Sequence, residues 1–252
     1  MSSNWRVRLP RDVGVVIVAA GQGSRLGGTV PKQYRELGGI PMLLRSLRPF
    51  VAHPDVAHTV VVLPAADAAS PPAWLAELLG AALTVVAGGA ERSDSVAHGL
   101  AALPGACHIV LVHDAARPFV DRPTIDAVIA VVRHGEGAVP ATPLGDTLKE
   151  AANPVARAAA DPALPLVQRT IPREQLWRAQ TPQGFPRGLL EEAHARARHD
   201  GVRGTDDAAL VERLGARVRL VPGTDTNFKI TSESDLQLAE AFLLLSRQAA
   251  ES

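Results

Sequence analysis

The sequence carries no excess of charge of either sign. Its 26 lysine and arginine residues are balanced by 26 aspartate and glutamate residues, whereas a general nucleic-acid binder normally has a basic surplus that neutralises phosphates. The chain is not poor in apolar residues either, since these make up 46% of it. Few apolar residues combined with a large net charge are typical of disordered chains, so we expect a folded protein that does not bind nucleic acid.

Cysteine is nearly absent, and long apolar runs are missing. The single cysteine, Cys107, cannot form an internal disulfide, which indicates a reducing compartment. No apolar run approaches the roughly 20 residues that a membrane-spanning helix needs. Basic residues before the apolar run at 13–20 imitate a signal peptide, but a glycine-rich polar loop follows at once, so we interpret the run as a buried strand. We therefore expect a soluble, cytoplasmic protein without a membrane partner.

Apolar runs of strand length alternate with segments of helical periodicity, and such continuous runs are typical of strands covered on both faces. The predicted strands span residues 13–19, 59–63, 83–87, 108–112 and 217–221, and the predicted helices span 42–50, 73–79, 93–103, 124–132, 186–198, 206–214 and 233–245. This alternation predicts one α/β domain over residues 1–252, with a Rossmann-like, mostly parallel sheet flanked by helices. The ligand site is expected at the carboxyl ends of the strands.

The periodicity weakens between residues 141 and 182, where the chain has six prolines and an alanine-rich stretch. A long segment without a pattern inside a compact domain is usually functional or an excursion from it. We expect residues 142–182, called the arm below, to leave the domain. Its flanks at 147–149 and 166–171 are predicted to pair as a hairpin.

The loop after the first strand has the glycines and cations of an anion site. Gly21 and Gly23 allow backbone N–H groups to approach an anion closely, although they would equally suit a tight turn. The dinucleotide fingerprint is incomplete, since its third glycine and downstream acid are missing, and the Walker A pattern fails because Thr29 stands where its lysine is required. Arg25 and Lys32 remain as two cations suited to a polyphosphate whose charge rises during reaction.

Three further loops contain candidate ligand contacts. Asp114 follows a predicted strand, where a carboxylate commonly meets Mg²⁺ or a sugar hydroxyl, or it caps the next turn with Arg117 as its salt-bridge partner. The neighbouring His113 has no visible acid to orient it, and we interpret it as structural. The Gly88-Gly89 pair either cradles a base or caps a helix. Lys229 is either a solvated lysine or part of the site.

Taken together, these residues resemble the 2-C-methyl-D-erythritol 4-phosphate cytidylyltransferases of the non-mevalonate isoprenoid pathway. The motifs that carry the resemblance are Ala19-Ala20-Gly21-x-Gly23-x-Arg25, Pro31-Lys32-Gln33-Tyr34, Gly88-Gly89 to Asp94-Ser95-Val96, Val112-His113-Asp114-Ala115-Ala116-Arg117-Pro118, Asp146-Thr147-Leu148-Lys149, Thr181-Pro182-Gln183, Thr205-Asp206-Asp207 and Asn227-Phe228-Lys229-Ile230-Thr231. They occur in the order of the family and cover nearly the whole chain. The resemblance implies the nucleotidyltransferase fold.

The resemblance also implies a reaction and a set of site residues. The phosphate oxygen of methylerythritol phosphate attacks the α-phosphorus of CTP and releases pyrophosphate, without a covalent enzyme intermediate. The catalytic cations would be Arg25, Lys32, Arg173 and Lys229. The CTP contacts would be Ala19, Ala20, Gly21, Gly23, Gly88, Gly89, Ser95 and Ala115. The acceptor contacts would be Asp114, Arg117, Thr147, Thr181 and Thr205, with Asp114 also facing Mg²⁺.

By the same resemblance the arm joins two subunits in a homodimer, in which Thr147 and Arg173 complete the partner's site. An alanine-rich insertion at 151–166 and Ala90, where some relatives have an acid, depart from the family pattern. The chain ends one helix after the lysine motif, so we expect no fused cyclase domain.

Three alternatives remain. A cytidylyltransferase for another polyol phosphate, such as ribitol 5-phosphate, would share the CTP loops and differ in a few acceptor contacts. A non-catalytic nucleotide-binding protein would keep the same fold, although it would not need Arg25, Lys32 and Lys229 together. A dinucleotide oxidoreductase is disfavoured by the incomplete fingerprint.

Overall fold

The structure is a computed structural model that describes residues 11–21, 30–152 and 164–251. The strands, in chain order, are β1 Val13–Val18, β2 Glu36–Leu37, β3 Ile40–Pro41, β4 Val56–Leu63, β5 Leu83–Ala87, β6 Ile109–Asp114, β7 Gly137–Pro143, β8 Leu148–Ala151, β9 Val167–Ile171, β10 Trp177–Ala179, β11 Gln183–Pro186 and β12 Val218–Pro222. The α-helices are α1 Met42–Val51, α2 Ala65–Ala69, α3 Ala73–Ala76, α4 Arg92–Ala102, α5 Arg122–Val132, α6 Arg187–His199, α7 Asp207–Glu212 and α8 Glu233–Glu251. A 3-10 turn covers Lys32–Tyr34. None of the helices in these ranges is long and apolar enough to cross a membrane.

Eight strands form the main sheet, in the order β10-β7-β11-β6-β1-β4-β5, with β12 also paired to β7. Neighbouring strands among β6, β1, β4 and β5 are parallel, and β12 runs parallel to β7. Two strands, β10 and β11, run antiparallel to their neighbours. The predicted mostly parallel sheet is therefore confirmed.

Helices cover both faces of this sheet, because successive residues of a strand point to opposite faces. On β1, Val15 and Ile17 belong to one buried cluster, which also contains side chains of α1 and α5. The intervening Val16 belongs to a second cluster, which contains side chains of α4 and α6. Burial on both faces explains why the central strands are continuous runs of branched apolar residues.

In the main sheet the sequence pattern misses β7, β10 and β11, and elsewhere it misses the short elements β2, β3 and α2. Strand β7 is rich in small residues and prolines, and Val139 and Thr142 are its only branched side chains, whereas the other central strands are runs of branched residues. In β11, the buried side chain of Gln183 donates to Asp206 and accepts from the N–H of Ala208, so a polar residue occupies a core position. One predicted helix, 73–79, is shorter than expected and ends at Ala76.

The hairpin predicted within the arm is present. Strands β8 and β9 form a separate two-stranded antiparallel sheet in which Leu148 pairs with Ile171. Pro143 and Trp177, at the two sides of this hairpin, pair with each other in the main sheet. The central part of the insertion, residues 153–163, lies outside the described residues.

Candidate active site

A cavity of about 240 Å³ opens where β1, β5 and β6 end. The carboxyl ends of parallel strands meet at one edge of the sheet, so the three loops that follow these strands converge there. Eight of the residues proposed from the sequence line the cavity: Ala20, Gly21, Lys32, Gly89, Ser95, Asp114, Ala115 and Lys229. Chain segments more than 200 residues apart therefore form one concave surface.

Asp114, the last residue of β6, holds two cations at the floor of the cavity. Its carboxylate accepts a hydrogen bond of 2.7 Å from Lys229 Nζ and lies 3.4 Å from the guanidinium of Arg92. Burial opposes the charge of this carboxyl group, but the charges of Arg92 and Lys229 outweigh burial and hold the pKa of Asp114 well below its usual range. Asp114 is therefore ionised at neutral pH and lies between the Arg92 and Lys229 side chains.

Arg92, the first residue of α4, also lines the cavity and was missed in the sequence. Its Nη1 donates to Asp207 Oδ2 at 2.8 Å, and the other oxygen of Asp207 lies 3.0 Å from His194 Nε2. Burial tends to raise the pKa of Asp207, but the hydrogen bond from His194 and the charge of Arg92 lower it overall. Arg92 and Asp207 are 115 residues apart. Arg92 lies within the motif that begins with Gly88-Gly89, and Asp207 belongs to the motif Thr205-Asp206-Asp207, but nothing in the sequence indicates that the two side chains meet.

The Gly88-Gly89 loop is closed too tightly for side chains. A Cβ atom at Gly88 would lie 2.4 Å from Ala20 Cβ and 2.8 Å from Ser95 Oγ, and one at Gly89 would lie 2.3 Å from Asp94 Cβ. Ser95 Oγ accepts from the N–H of Gly89 at 3.1 Å. Gly89 lines the cavity, whereas Gly88 and the buried Ala19 are not among its described lining residues. The loop thus both leads into α4 and forms part of the wall.

Lys32 begins the 3-10 turn, a further segment that lines the cavity. The turn is closed by hydrogen bonds from Tyr34 N–H to Pro31 O, at 2.9 Å, and from Arg35 N–H to Lys32 O, at 3.2 Å. Lys32 and the buried Gln33 both line the cavity. The other two residues proposed from this loop, Gly23 and Arg25, lie outside the described residues.

Arg117 and Thr181 support the cavity rather than line it, within the described part of the chain. Arg117 donates to Asn227 O at 2.7 Å and to Ala179 O at 3.3 Å, and so fixes the segment that precedes Lys229. The sequence also allowed Arg117 to be the salt-bridge partner of Asp114. In the structure, Arg92 and Lys229 form the ion pairs with Asp114 instead. Thr181 Oγ1 accepts from the backbone N–H of Asp114 at 3.1 Å.

His113 completes this support and takes a structural role, as interpreted from the sequence. Its Nε2 lies 3.1 Å from Arg117 O, which can only accept, and its Nδ1 lies 2.9 Å from Thr181 Oγ1. The ring is therefore protonated on Nε2 and accepts at Nδ1. Complete burial lowers the pKa of His113 from 6.5 to about 4, so the ring is neutral near pH 7.

Thr147, Arg173 and Thr205 are exposed and do not line the described part of the cavity. Thr147 precedes β8 and Arg173 follows β9, so both belong to the arm, where the guanidinium of Arg173 donates to Gly145 O. Thr205 lies just before α7, one residue from Asp206, the N-cap of that helix. Within one chain, these three side chains therefore lie outside the cavity that the other proposed residues line.

Comparison with known proteins gives a consistent result. A family model described as 2-C-methyl-D-erythritol 4-phosphate cytidylyltransferase matches residues 13–245. A protein of that name from Salinibacter ruber is 45% identical over 240 residues, covering 95% of this chain and 96% of its own. Another from Streptomyces coelicolor is 46% identical, covering 94% of this chain and 86% of its own.

Solved structures agree with these relatives. The crystal structure of 2-C-methyl-D-erythritol 4-phosphate cytidylyltransferase from Thermus thermophilus superposes with a TM-score of 0.74 at 40% identity, covering 92% of this chain and 98% of its own. Agreement in sequence, in fold and over nearly the full length of these relatives confirms the resemblance drawn from the motifs. The chain therefore belongs to the 2-C-methyl-D-erythritol 4-phosphate cytidylyltransferase family.

Proposed function

We propose that the cavity binds CTP and 2-C-methyl-D-erythritol 4-phosphate and transfers the cytidylyl group to the acceptor, with release of pyrophosphate. The observation that carries this proposal is that Lys32 lines the same glycine-walled cavity as Asp114 and its two cationic partners, Arg92 and Lys229. The family, its relatives and its solved structures carry the name of this reaction. The product belongs to isoprenoid biosynthesis.

The chemistry requires cations more than a base. The nucleophile is a phosphate oxygen that is already an anion, so the difficulty is to bring two negative species together and to stabilise the crowded α-phosphorus. Lys32 and Lys229 both line the cavity, and we assign Lys32 to the triphosphate and Lys229 to the acceptor phosphate. Arg25 adds a third cation from the same loop in our assignment. Loss of one such charge is expected to reduce the rate by roughly 10²–10³-fold.

Lys229 needs to change partners during binding. In the free protein its ammonium is held by Asp114 at 2.7 Å, and an incoming acceptor phosphate competes for it. Arg92 stays fixed, because its second partner, the buried Asp207, holds it from behind at 2.8 Å. Asp114 then keeps one cationic neighbour and has an oxygen available for a sugar hydroxyl or a metal ion.

We assign the nucleotide to the two small-residue loops. Ala20 and Gly21 stand at the start of the loop after β1 and line the same cavity as Lys32, and we assign them to the triphosphate. Gly89 and Ser95 also line the cavity, and we assign them to the cytidine. Small side chains allow backbone N–H groups to approach phosphate and base edges closely. We assign Arg117 and Thr181 an indirect role toward the acceptor. Thr181 binds the backbone of Asp114, and Arg117 binds the segment that precedes Lys229.

Mg²⁺ fits this site as a metal held mainly by substrate. Among residues 11–21, 30–152 and 164–251, no group of three or more histidine, cysteine, aspartate or glutamate side chains is arranged to hold a metal ion. Mg²⁺ commonly uses one or two carboxylates together with substrate phosphates, and Asp114 supplies such a carboxylate. When bound, the metal would neutralise phosphate charge and favour the departure of pyrophosphate.

A homodimer formed through the arm is the second part of the proposal. The β8–β9 hairpin exposes apolar side chains, with Leu166 67% and Val167 61% accessible, and exposed apolar patches of this kind favour burial against a partner. Thr147 and Arg173 flank the two strands of this hairpin and do not line the described part of the cavity of their own chain. A second copy that docks through the hairpin would bring them to the neighbouring site.

The expected compartment is the cytoplasm. The single Cys107 is a buried free thiol in the core, and burial raises its pKa. Such a thiol is inert and requires no oxidising environment. Both proposed substrates are charged phosphate metabolites.

Pyrophosphate release from CTP and Mg²⁺ tests the proposed reaction, with methylerythritol 4-phosphate and ribitol 5-phosphate as parallel acceptors and Lys32→Ala as the control. We expect release with the first acceptor only and a loss of roughly 10²-fold or more in the variant. Release with ribitol 5-phosphate alone would assign the same chemistry to another pathway. No release with either acceptor, from protein that binds CTP, would instead support a non-catalytic nucleotide-binding protein.

A further inference from the structure

Tyr34 is the only tyrosine in the chain, and it closes the 3-10 turn that begins with Lys32. Its hydroxyl donates to Asp67 Oδ2 at 2.8 Å. Its ring packs edge-on against Trp74, with 6.3 Å between the ring centroids. Asp67 lies on α2 and Trp74 on α3, so this single side chain ties the turn to the two helices that follow β4.

Tyr34 itself does not contact the cavity in the described part of the chain, whereas Lys32 and Gln33 line it. A 3-10 helix has about three residues per turn, so positions 32 and 34 project in different directions. Holding the second side chain therefore fixes the direction of the first. The adjacent Arg35 pairs with Glu233 at 2.9 Å and attaches the end of the turn to α8.

The hydrogen bond to Asp67 is suited to this role. A hydroxyl that donates to a carboxylate forms a charge-assisted bond, which is stronger than a bond between neutral groups. Burial raises the pKa of Tyr34, and its contact with the Asp67 carboxylate adds to the rise. The phenol thus remains a protonated donor throughout the neutral pH range.

We propose that Tyr34 is a positioning residue for Lys32, and that its hydrogen bond to Asp67 fixes the turn that presents the lysine to the cavity. The catalytic consequence rests on the proposed function, since it assumes that Lys32 binds the reacting phosphates. The structural consequence does not depend on turnover. A misplacement of about 1 Å can reduce a rate by roughly 10²-fold, so loss of one hydroxyl group is expected to be visible in kcat.

The first test observes Lys32 directly. The chain has three lysines, Lys32, Lys149 and Lys229, so reductive methylation with carbon-13 gives few signals, and a Lys32→Arg variant assigns one of them. We expect the Lys32 signal to shift or broaden in Tyr34→Phe and Asp67→Ala. It should stay in place in Asp67→Asn, whose amide oxygen still accepts from the phenol.

Asp126→Ala is the matched control. It removes a hydrogen bond of the same length, 2.8 Å, between a surface carboxylate and the buried His53, at residues outside the cavity lining. Absorbance of the single phenol at alkaline pH shows separately whether the Asp67 contact exists in solution, since its loss lowers the pKa of Tyr34. A Lys32 signal that is unchanged in Tyr34→Phe would overturn the inference.

The second test is kinetic. We expect Tyr34→Phe to lower kcat by about tenfold while the KM for CTP changes less than about threefold, and Asp67→Asn to retain most of the activity. In a Lys32→Ala background the same change should have no further effect, because two residues that act through one contact are not additive. Equal losses in both backgrounds would contradict a positioning role. An inactive wild type whose Lys32 signal still moves would reject the proposed reaction and leave the positioning role supported.

Discussion

Lys229 Nζ lies 2.7 Å from Asp114 Oδ2, across 115 residues of sequence. Asp114 ends β6, and the segment of Lys229 is held beside it by a hydrogen bond from Ile230 N–H to Ala116 O at 2.9 Å. Arg117 holds the same segment through Asn227 O. The pair is thus built by the backbone as well as by charge, and it places a cation at the cavity before any substrate is bound.

Asp114→Asn tests the importance of this carboxylate for the reaction. We expect kcat/KM for the acceptor to fall by roughly 10²–10³-fold, since the change removes an anion that orients Lys229 and is available to Mg²⁺. Steady-state kinetics of pyrophosphate release provides the measurement. Asp12→Asn is a suitable control, because Asp12 forms its ion pair with Arg133 at the opposite end of β1. Retention of more than about a third of the activity in Asp114→Asn would contradict the assignment.

Asp207→Asn tests how Arg92 is held. Asp207 is 1% exposed and bonds both Arg92 and His194, so neutralising it leaves a partly buried guanidinium with a single partner. Removing one member of a buried ion pair typically costs about 3 kcal/mol or more, and urea unfolding should show a loss of that order. Asp200→Asn, at an exposed carboxylate with arginine partners, should change the unfolding free energy much less. Similar changes in the two variants would argue against the buried anchor.

We expect the buried His113 to make the folded protein less stable in mild acid. Burial lowers the pKa of His113 to about 4 in the folded state, whereas the unfolded chain binds this proton near pH 6.5. The neutral ring therefore contributes fully to the free energy of unfolding above pH 6.5. As the pH falls from 6.5 towards 4, the free energy of unfolding decreases by about 3 kcal/mol, because only the unfolded chain takes up the proton. Unfolding free energies of the wild type and His113→Gln across this range measure the difference. Parallel pH profiles of the two proteins would refute the buried neutral ring.

Gly88→Ala tests the closed loop beside the cavity. The added Cβ would lie 2.4 Å from Ala20 Cβ, so the loop or β1 has to shift. Overpacking of this kind costs about 1–3 kcal/mol, and we expect a raised KM for CTP as well. Gly80→Ala is the matched control, since a Cβ at that position meets no described atom within 4 Å. Equal behaviour of the two variants in thermal unfolding and in CTP kinetics would count against the tight loop.

Mixed dimers test whether the arm completes the partner's site. Arg173→Ala and Lys229→Met should each be nearly inactive, but a mixture of the two subunits should recover about a quarter of the wild-type activity. Random exchange makes half of the dimers mixed, and each mixed dimer has one site with both native residues. Lys32→Ala mixed with Lys229→Met should recover nothing, because both residues lie in the same chain's cavity. The absence of recovery with Arg173→Ala would place that residue outside the site.

Much of this architecture could be predicted from the sequence, because the central strands are covered on both faces. Strand β5 has the bounds predicted for it, and the loops that follow β1, β5 and β6 meet because the strands are parallel. Strand β7 could not be predicted, because Pro140 and the small residues around it lack a strand pattern. This segment is a strand because β10, β11 and β12 pair with it.

Most residues that line the cavity could be predicted from the sequence, but the contacts that hold these residues in place could not. The glycines and Asp114 stand in motifs at strand ends, and Lys32 and Lys229 belong to motifs of the same family resemblance. The contact between Arg92 of α4 and Asp207 of α7 arises only in the folded chain. The sequence pattern also could not predict the direction in which the Arg117 side chain points. Arg117 stands in a motif with Asp114, yet its guanidinium turns to backbone carbonyl groups.

The most direct test of the account follows the phosphate oxygen itself. Methylerythritol 4-phosphate labelled with oxygen-18 in its phosphate would be incubated with CTP, Mg²⁺ and the protein, and the products followed by phosphorus NMR. Attack by that phosphate on the α-phosphorus predicts a diphosphate product with the label in the bridging oxygen, together with unlabelled pyrophosphate. An unlabelled bridge, or CMP beside unreacted acceptor, would contradict cytidylyl transfer at this site.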